Sequence, residues 1–260
     1  MTQNRASVLI FAGVDPSGGA GIAADILAVT AQGAHALPVV TTLTVQDNDR
    51  VFDVIPVAFE LVLRQAQALI DKIDISAVKI GIPGSAANAQ AMADLIHALR
   101  RRRPDLPVVL DPVLASGHGD TLSQGDAVRA LAPLLSLATL IVPNLPEAHM
   151  LTGLDSGAEQ AASLHARGCR HVLITGGHAS GAMVLNRWFG PDHEQQDWRW
   201  PRLPGAFHGS GCTLASAIAA RLAQGEPMAA ALAAAQAYCH EALAMSYPIA
   251  AGQRVPRRLV

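Results

Sequence analysis

Short apolar runs alternate with longer segments of helical period along most of this chain. The strand candidates are Val8–Val14, Leu37–Leu43, Ala77–Ile80, Val108–Leu110, Thr139–Val142 and Val172–Thr175. Most lack a polar alternation, as parallel strands covered on both faces do. Helix candidates lie between them at Ala20–Gln32, Phe59–Ile70, Ala86–Arg101 and Gly157–Arg167. Ser85 is placed to cap the third of these and Pro104 to stop it. Strand–helix alternation of this kind predicts a three-layer α/β domain with right-handed crossovers, here one domain over residues 1–260.

After Thr175 the pattern changes. Ala182–Phe189 and Glu194–Trp200, joined through Gly190-Pro191-Asp192, read as an antiparallel β-hairpin at the edge of a mostly parallel sheet. Two alanine-rich helices follow at Gly211–Gln224 and Met228–Ser246. The last residues, 253–260, read as a weakly ordered tail.

Composition narrows the function classes. Only 15% of residues are charged, against about 25% in typical soluble chains, which points to a large core, a homodimer interface, or both. A net charge of −2 gives no field for holding nucleic acid or an anionic membrane. The basic run Arg100 to Arg103 ends a helix, where it complements the negative end of the dipole. Three cysteines without a CxxC pair argue against a disulfide framework or structural zinc and for a reducing, cytoplasmic setting. The run Val8 to Val14 passes straight into Asp15-Pro16-Ser17-Gly18-Gly19 with no small-residue cleavage pattern, so it is read as a strand and not a signal peptide. No apolar stretch approaches the roughly 20 residues of a membrane-spanning helix.

Two glycine-rich loops stand at strand-to-helix junctions. The first runs from Gly13 through Asp15 to Gly21, and fits neither the P-loop nor the dinucleotide fingerprint, since no lysine follows Gly18-Gly19 and the glycine spacing is wrong. The second, His208-Gly209-Ser210-Gly211-Cys212-Thr213, opens a helix, where successive backbone N–H groups can converge on an anion. Cys212 falls in its first turn. A thiol there can drop from about 8.5 to roughly 3.5–7.5 and act as a base, or the residue can be a small core side chain. Position alone does not separate these readings. Cys169 and Cys239 sit in apolar or alanine-rich surroundings and read as core.

Asn144-Leu145-Pro146-Glu147 follows a strand. It can be a capping box, or it can present Glu147 to magnesium at the carboxyl edge where α/β sheets bind ligands. Asp111 and Thr175-Gly176-Gly177-His178 lie at the same edge. The ten histidines show no metal-ligand spacing; His118, His178 and His208 fall in loops near the site. No serine has a G-x-S-x-G context. Trp188, Trp198 and Trp200 read as packing residues of the hairpin.

Gly13-Val14-Asp15-Pro16-Ser17-Gly18-Gly19-Ala20-Gly21, Asp25, Thr44-Val45-Gln46-Asp47, Lys79-Ile80-Gly81, Asp111-Pro112-Val113, Pro143-Asn144-Leu145-Pro146-Glu147, Gly176-Gly177-His178 and Gly209-Ser210-Gly211-Cys212-Thr213 occur in this order. Together they resemble the hydroxymethylpyrimidine/phosphomethylpyrimidine kinases of thiamin biosynthesis, within the ribokinase-like superfamily, over nearly the whole chain. The resemblance implies a three-layer α/β/α fold and phosphorylation of 4-amino-5-hydroxymethyl-2-methylpyrimidine, and usually of its monophosphate, by ATP with Mg²⁺. On the matching positions, Asp25 and Gln46 look like polar contacts to the aminopyrimidine, with Gly13 and Asp15 in the substrate loop and Ile82 and Val113 as apolar walls. Asp111 and Glu147 resemble magnesium-side carboxylates, and Asn144, Thr175, Gly177 and His208 the nucleotide side. Gly209, Ser210 and Gly211 resemble the anion hole, and Cys212 the base.

The chain departs from the pattern where Thr175 replaces a usual lysine, where Ile82 replaces a usual Met, and where Ala115-Ser116-Gly117 replaces a Lys-Ser-Gly. The lost charges bear on the second phosphorylation, onto an already anionic substrate, more than on the first. The alternatives are a pyridoxal or pyridoxine kinase of the same fold, or a non-catalytic pyrimidine-binding regulator.

Overall fold

A computed structural model describes residues 5–114 and 127–259. The described residues form one nine-stranded sheet in the order β3-β2-β1-β4-β5-β6-β7-β8-β9. Six strands, β1 (Ser7–Val14), β2 (His35–Gln46), β4 (Ala77–Ile80), β5 (Val108–Leu110), β6 (Leu140–Ile141) and β7 (His171–Ile174), run parallel. The expected edge hairpin is present as β8 (Met183–Phe189) and β9 (Gln195–Pro201), antiparallel to each other, with β8 antiparallel to β7. At the other edge β3 (Val51–Pro56) folds back antiparallel on β2.

Successive strand residues feed two separate cores, because side chains alternate across a pleated sheet. Leu9, Phe11, Val78, Ile80, Val108 and Leu110 face one core, with α2 (Phe59–Ile70), α3 (Ala86–Arg102), the short α4 (Ala127–Ala130) and α5 (Ala132–Leu135), α6 (Leu145–Thr152) and α7 (Gly157–Ala166). Val8, Ile10, Ala77, Val109, Leu140 and Leu173 face the other, with α1 (Gly21–Ala31), α8 (Ser210–Ala223) and α9 (Met228–Ala244). The strands read as continuous apolar runs because both faces are covered. Alanines along α8, from Ala215 to Ala220, are fully buried and let that helix lie close to β1, β4 and β5. Ser85 Oγ accepts from Asn88 N (3.1 Å) and caps α3 as anticipated.

The chain leaves β1 for β2 on one side of the sheet and later resumes at β4 on the other. This reversal opens a crevice at the carboxyl ends of β1 and β4, where open α/β sheets bind ligands.

Two expectations need correction. Strand β3 was not anticipated, and the tail does not hang loose. Asn48 Nδ2 donates to the carbonyls of Ala251 and Gln253 (both 3.0 Å), Arg254 and Val255 form bridges with Phe207 and Tyr247, and Tyr238 Oη donates to Arg258 O (2.8 Å). Val255 and Arg258 are buried. The tail is held because it closes the gap between the β2–β3 turn and the start of α8. Ala115-Ser116-Gly117 and His118 lie outside the described residues. No helix among the described residues is long and apolar enough to cross a membrane.

Candidate active site

A cleft of about 570 Å³ lies along the carboxyl edge of the sheet, within the usual range for small-molecule sites. At its centre both glycine loops meet. Gly209 adopts a left-handed conformation (φ 75°) and forms the N-cap of α8, its carbonyl accepting from Thr213 N at 2.9 Å. A Cβ on Gly209 would stand 2.1 Å from Gly19 O, so only glycine allows the two loops to touch. The amides of Ser210, Gly211 and Cys212 therefore open the helix with no intrahelical acceptor, facing the cleft at the positive end of the dipole.

Asp15 is the knot of the first loop. Its carboxylate accepts from Ser17 N (2.8 Å), Ser17 Oγ (2.9 Å) and Ala20 N (2.7 Å), and pairs with His208 Nε2 (2.8 Å). Burial pushes its pKa up, but these bonds and the charge of His208 outweigh it and hold the carboxyl below its ordinary value. Asp15 and His208 were assigned to substrate and nucleotide respectively. Both line the cleft, and the structure also joins them to each other.

The reading of Asp25 is corrected. It is fully buried beneath the cleft, with Lys79 Nζ at 2.9 and 3.0 Å and Ser216 Oγ at 2.7 Å, and does not line the cavity. It cannot touch a ligand while its oxygens hold that lysine. Lys79 is the functional residue that sequence reasoning passed over. It is 0% exposed on β4, and reaches 3.8 Å from Asp111 Oδ2. Burial opposes its charge, yet Asp25, then Cys212 and Asp111, hold the ammonium protonated above its ordinary range. The available signal was a lone charge in the otherwise apolar Ala77-Val78-Lys79-Ile80.

Cys212 stands between these groups and lines the cleft. Its thiol lies close enough to Asp111 and Lys79 for their charges to act on it. The expected low thiol pKa is not found. Burial pushes it up to about 12, and Asp111 and Asp25 add to this against the opposing pull of Lys79. The helix start is outweighed by desolvation.

Asp111 and Glu147 face each other closely enough to share a field. Burial raises Asp111 to about 6, against the charge of Lys79. Burial and then the charge of Asp111 raise Glu147 to about 8. Asn144 and Glu147 form the capping box: Glu147 N donates to Asn144 Oδ1 and Asn144 N to Glu147 Oε2, each at 2.9 Å. Asp111 Oδ2 is buried without a hydrogen-bond partner. An orphaned oxygen beside a second strained carboxyl suits a divalent cation. Among the described residues no three His, Cys, Asp or Glu side chains form a protein-only metal cage. Magnesium is commonly held by one or two carboxylates, waters and substrate phosphates, and Asp111 and Glu147 are carboxylates that line the cleft.

Gln46, Ile82 and Val113 line one end of the cleft with Gly13; Asn144, Thr175 and Gly177 line the other. The Gly177–Gly181 turn is held by Arg202, whose guanidinium donates to Gly177 O and Gly181 O (2.7 Å each) and to Ala179 O. Trp188 is core, whereas Trp200 also lines the cleft and donates to Gln236 Oε1 (3.3 Å). Cys169 and Cys239 are buried.

Solved structures share this architecture. A pyridoxal kinase from Staphylococcus aureus, in complex with AMP-PCP and pyridoxal, matches with a TM-score of 0.87 at 25% identity, covering 99% of this chain and 94% of that one. A phosphomethylpyrimidine kinase from Clostridium difficile matches at 0.76 and 30%, covering 91% and 98%. The fold and cleft thus define a small-molecule kinase of the ribokinase-like class. Sequence then narrows the class. The family model described as phosphomethylpyrimidine kinase matches residues 15–256. The hydroxymethylpyrimidine/phosphomethylpyrimidine kinase of Rhizobium meliloti is 37% identical over 261 residues, 95% of this chain and 94% of that one. The chain belongs to the phosphomethylpyrimidine kinase family.

Proposed function

We propose that this chain transfers the γ-phosphoryl group of ATP to the hydroxyl of 4-amino-5-hydroxymethyl-2-methylpyrimidine, and more slowly to its monophosphate. The observation that carries the reading is the helix start at Gly209–Cys212, which opens on the cleft beside Asp111. The acceptor occupies the end lined by Gly13, Gln46, Ile82 and Val113, and the nucleotide the end lined by Asn144, Thr175 and Gly177.

The acceptor oxygen attacks phosphorus in line, the bond to the bridging β–γ oxygen breaks, and ADP leaves. The amides of Ser210, Gly211 and Cys212 hold the transferring group's oxygens. Cys212 lines the cleft and, as the thiolate that the charge of Lys79 favours, takes the hydroxyl proton and ends as the neutral thiol. Asp111 and Glu147 would hold Mg²⁺, which supplies neutralisation of phosphate charge.

Transfer onto a monophosphate brings a second anion to a cleft where Thr175 contributes no charge, which is why the second step is the slower. A homodimer in the cytoplasm is consistent with the low charge content.

The test is an ATP-consumption assay with the pyrimidine alcohol, its monophosphate and pyridoxal side by side. The reading fails if pyridoxal is turned over fastest, and a regulator is indicated if the pyrimidine binds with no ATP consumed. Cys212→Ala should lower kcat by about 10²–10⁴; near-normal turnover would remove its role as base and leave the anion hole standing.

A further inference from the structure

Arg258 brings a full positive charge into the protein, and nothing in the phosphoryl transfer described above uses it. The residue is 2% exposed. Its Nε donates to Thr213 Oγ1 (2.9 Å), and its Nη2 to Gly19 O, with Gly209 O at 3.4 Å and His208 O at 3.5 Å. All of these acceptors are neutral. Among the described residues no carboxylate lies within ion-pair distance of it, in contrast to Lys79, which sits on Asp25.

A buried guanidinium whose hydrogen-bond acceptors are all neutral is costly, and proteins retain such groups where function requires them. The location supplies the requirement. Gly209 precedes the three unpaired amides, and a Cβ there would lie 2.7 Å from Arg258 Nη2, so the guanidinium packs directly against the turn. The guanidinium also links the carbonyls of Gly19 and Gly209, one from each glycine loop. Its charge enters the cleft from behind the helix start, through protein that screens far less than water.

We propose that Arg258 is a positioning residue for phosphoryl transfer, fixing the Gly209 turn from behind and supplying the positive potential that the Ser210–Cys212 amides share with the transferring group. The assignment rests on reading that turn as the phosphoryl-holding site. The substrate is not contacted; Arg258 acts through the turn, and its charge matters as much as its hydrogen bonds.

Three variants separate charge from geometry. Arg258→Gln keeps side-chain donors without charge, Arg258→Lys keeps charge without the planar fork, and Arg258→Met keeps neither. The expected order of kcat is Arg, Lys, Gln, Met, with the Gln protein about tenfold to a hundredfold below wild type and KM for the pyrimidine alcohol little changed. Because an unpaired buried charge is removed, the melting temperature of the Gln protein should hold steady or rise while kcat falls. A merely structural arginine would lose both together.

Affinity for AMP-PCP, measured by calorimetry, should follow the same order. This second arm does not depend on which alcohol is phosphorylated. A wild-type chain inactive on the pyrimidine alcohol would overturn the proposed substrate while leaving the nucleotide arm to decide on Arg258. Wild-type kcat and AMP-PCP affinity in the Gln protein, or losses across the set that track melting temperature and not charge, would overturn the assignment of Arg258.

Discussion

Replacing Lys79 with Met tests the electrostatic floor of the cleft. The lysine and Asp25 are both wholly buried, 2.9 Å apart, and Asp25 accepts a further hydrogen bond from Ser216 Oγ. Met fills most of the volume and removes the charge, leaving a buried carboxylate with one hydroxyl donor. Removing one member of a buried pair costs about 3–5 kcal/mol. In a chain of this size that lowers the melting temperature by roughly 6–20 °C. Adding Asp25→Asn in the same protein removes the stranded anion, so the double variant should recover much of the loss, and a double-mutant cycle reads the coupling directly. Activity should fall and stay low in the double variant, because Asp111 has then lost the cation that opposes its raised pKa. Thermal melts of the four proteins are the assay. A Lys79→Met protein melting within about 2 °C of wild type, or a double variant no more stable than Lys79→Met alone, would refute the reasoning.

Other outcomes follow from the same geometry. Asp111 at about 6 and Glu147 at about 8 are raised acids, so between pH 4.5 and 8 the native state binds more protons than the unfolded one. Stability without Mg²⁺ should therefore fall as pH rises through this window, by up to about 1.4 kcal/mol per pH unit for each group. Melting at pH 5.5 and 8.5, with and without the ion, checks it: Mg²⁺ or Glu147→Gln should flatten the dependence, and a protein more stable at pH 8.5 without Mg²⁺ would contradict it. Gly209→Ala combines a left-handed φ with a Cβ 2.1 Å from Gly19 O, and should lower kcat more than about a hundredfold. Gly177→Ala, where a Cβ meets nothing within 4 Å, should melt as wild type does, and serves as the control.

The sequence made the parallel sheet and its long helices legible because strands covered on both faces must be continuously apolar. The observed α2 coincides with its expected span, and α3 differs from its own by one residue. Strand β3 escaped because Val51-Phe52-Asp53-Val54-Ile55-Pro56 ends in proline and leaves Phe52 and Ile55 exposed. It is an edge strand that exists through its pairing with β2 and not through burial of its own. The tail escaped for a related reason: Pro256-Arg257-Arg258 is polar, and only the finished fold supplies carbonyls for a buried guanidinium. Within the site, motif resemblance located the right residues but not their division of work. Asp25 is a polar group that binds the protein to itself beneath the cleft, and a residue list cannot distinguish it from Asp15 and His208, which line the cleft. Lys79 and Arg258 required the third dimension, since their meaning lies in which charges stand opposite them.

Three ties around and beneath the cleft join residues far apart along the chain. Asp15 reaches His208 over 193 positions, Asp25 reaches Ser216 over 191, and Gly19 reaches Arg258 over 239. Closing such loops adds little to the thermodynamic cost, about 0.6 kcal/mol per doubling of length, but contacts of this separation form slowly. The cleft is therefore the last part of the molecule to be made. During refolding from denaturant, helical signal should return before turnover does, and the interval between them measures how long the two distant parts of the chain take to find each other.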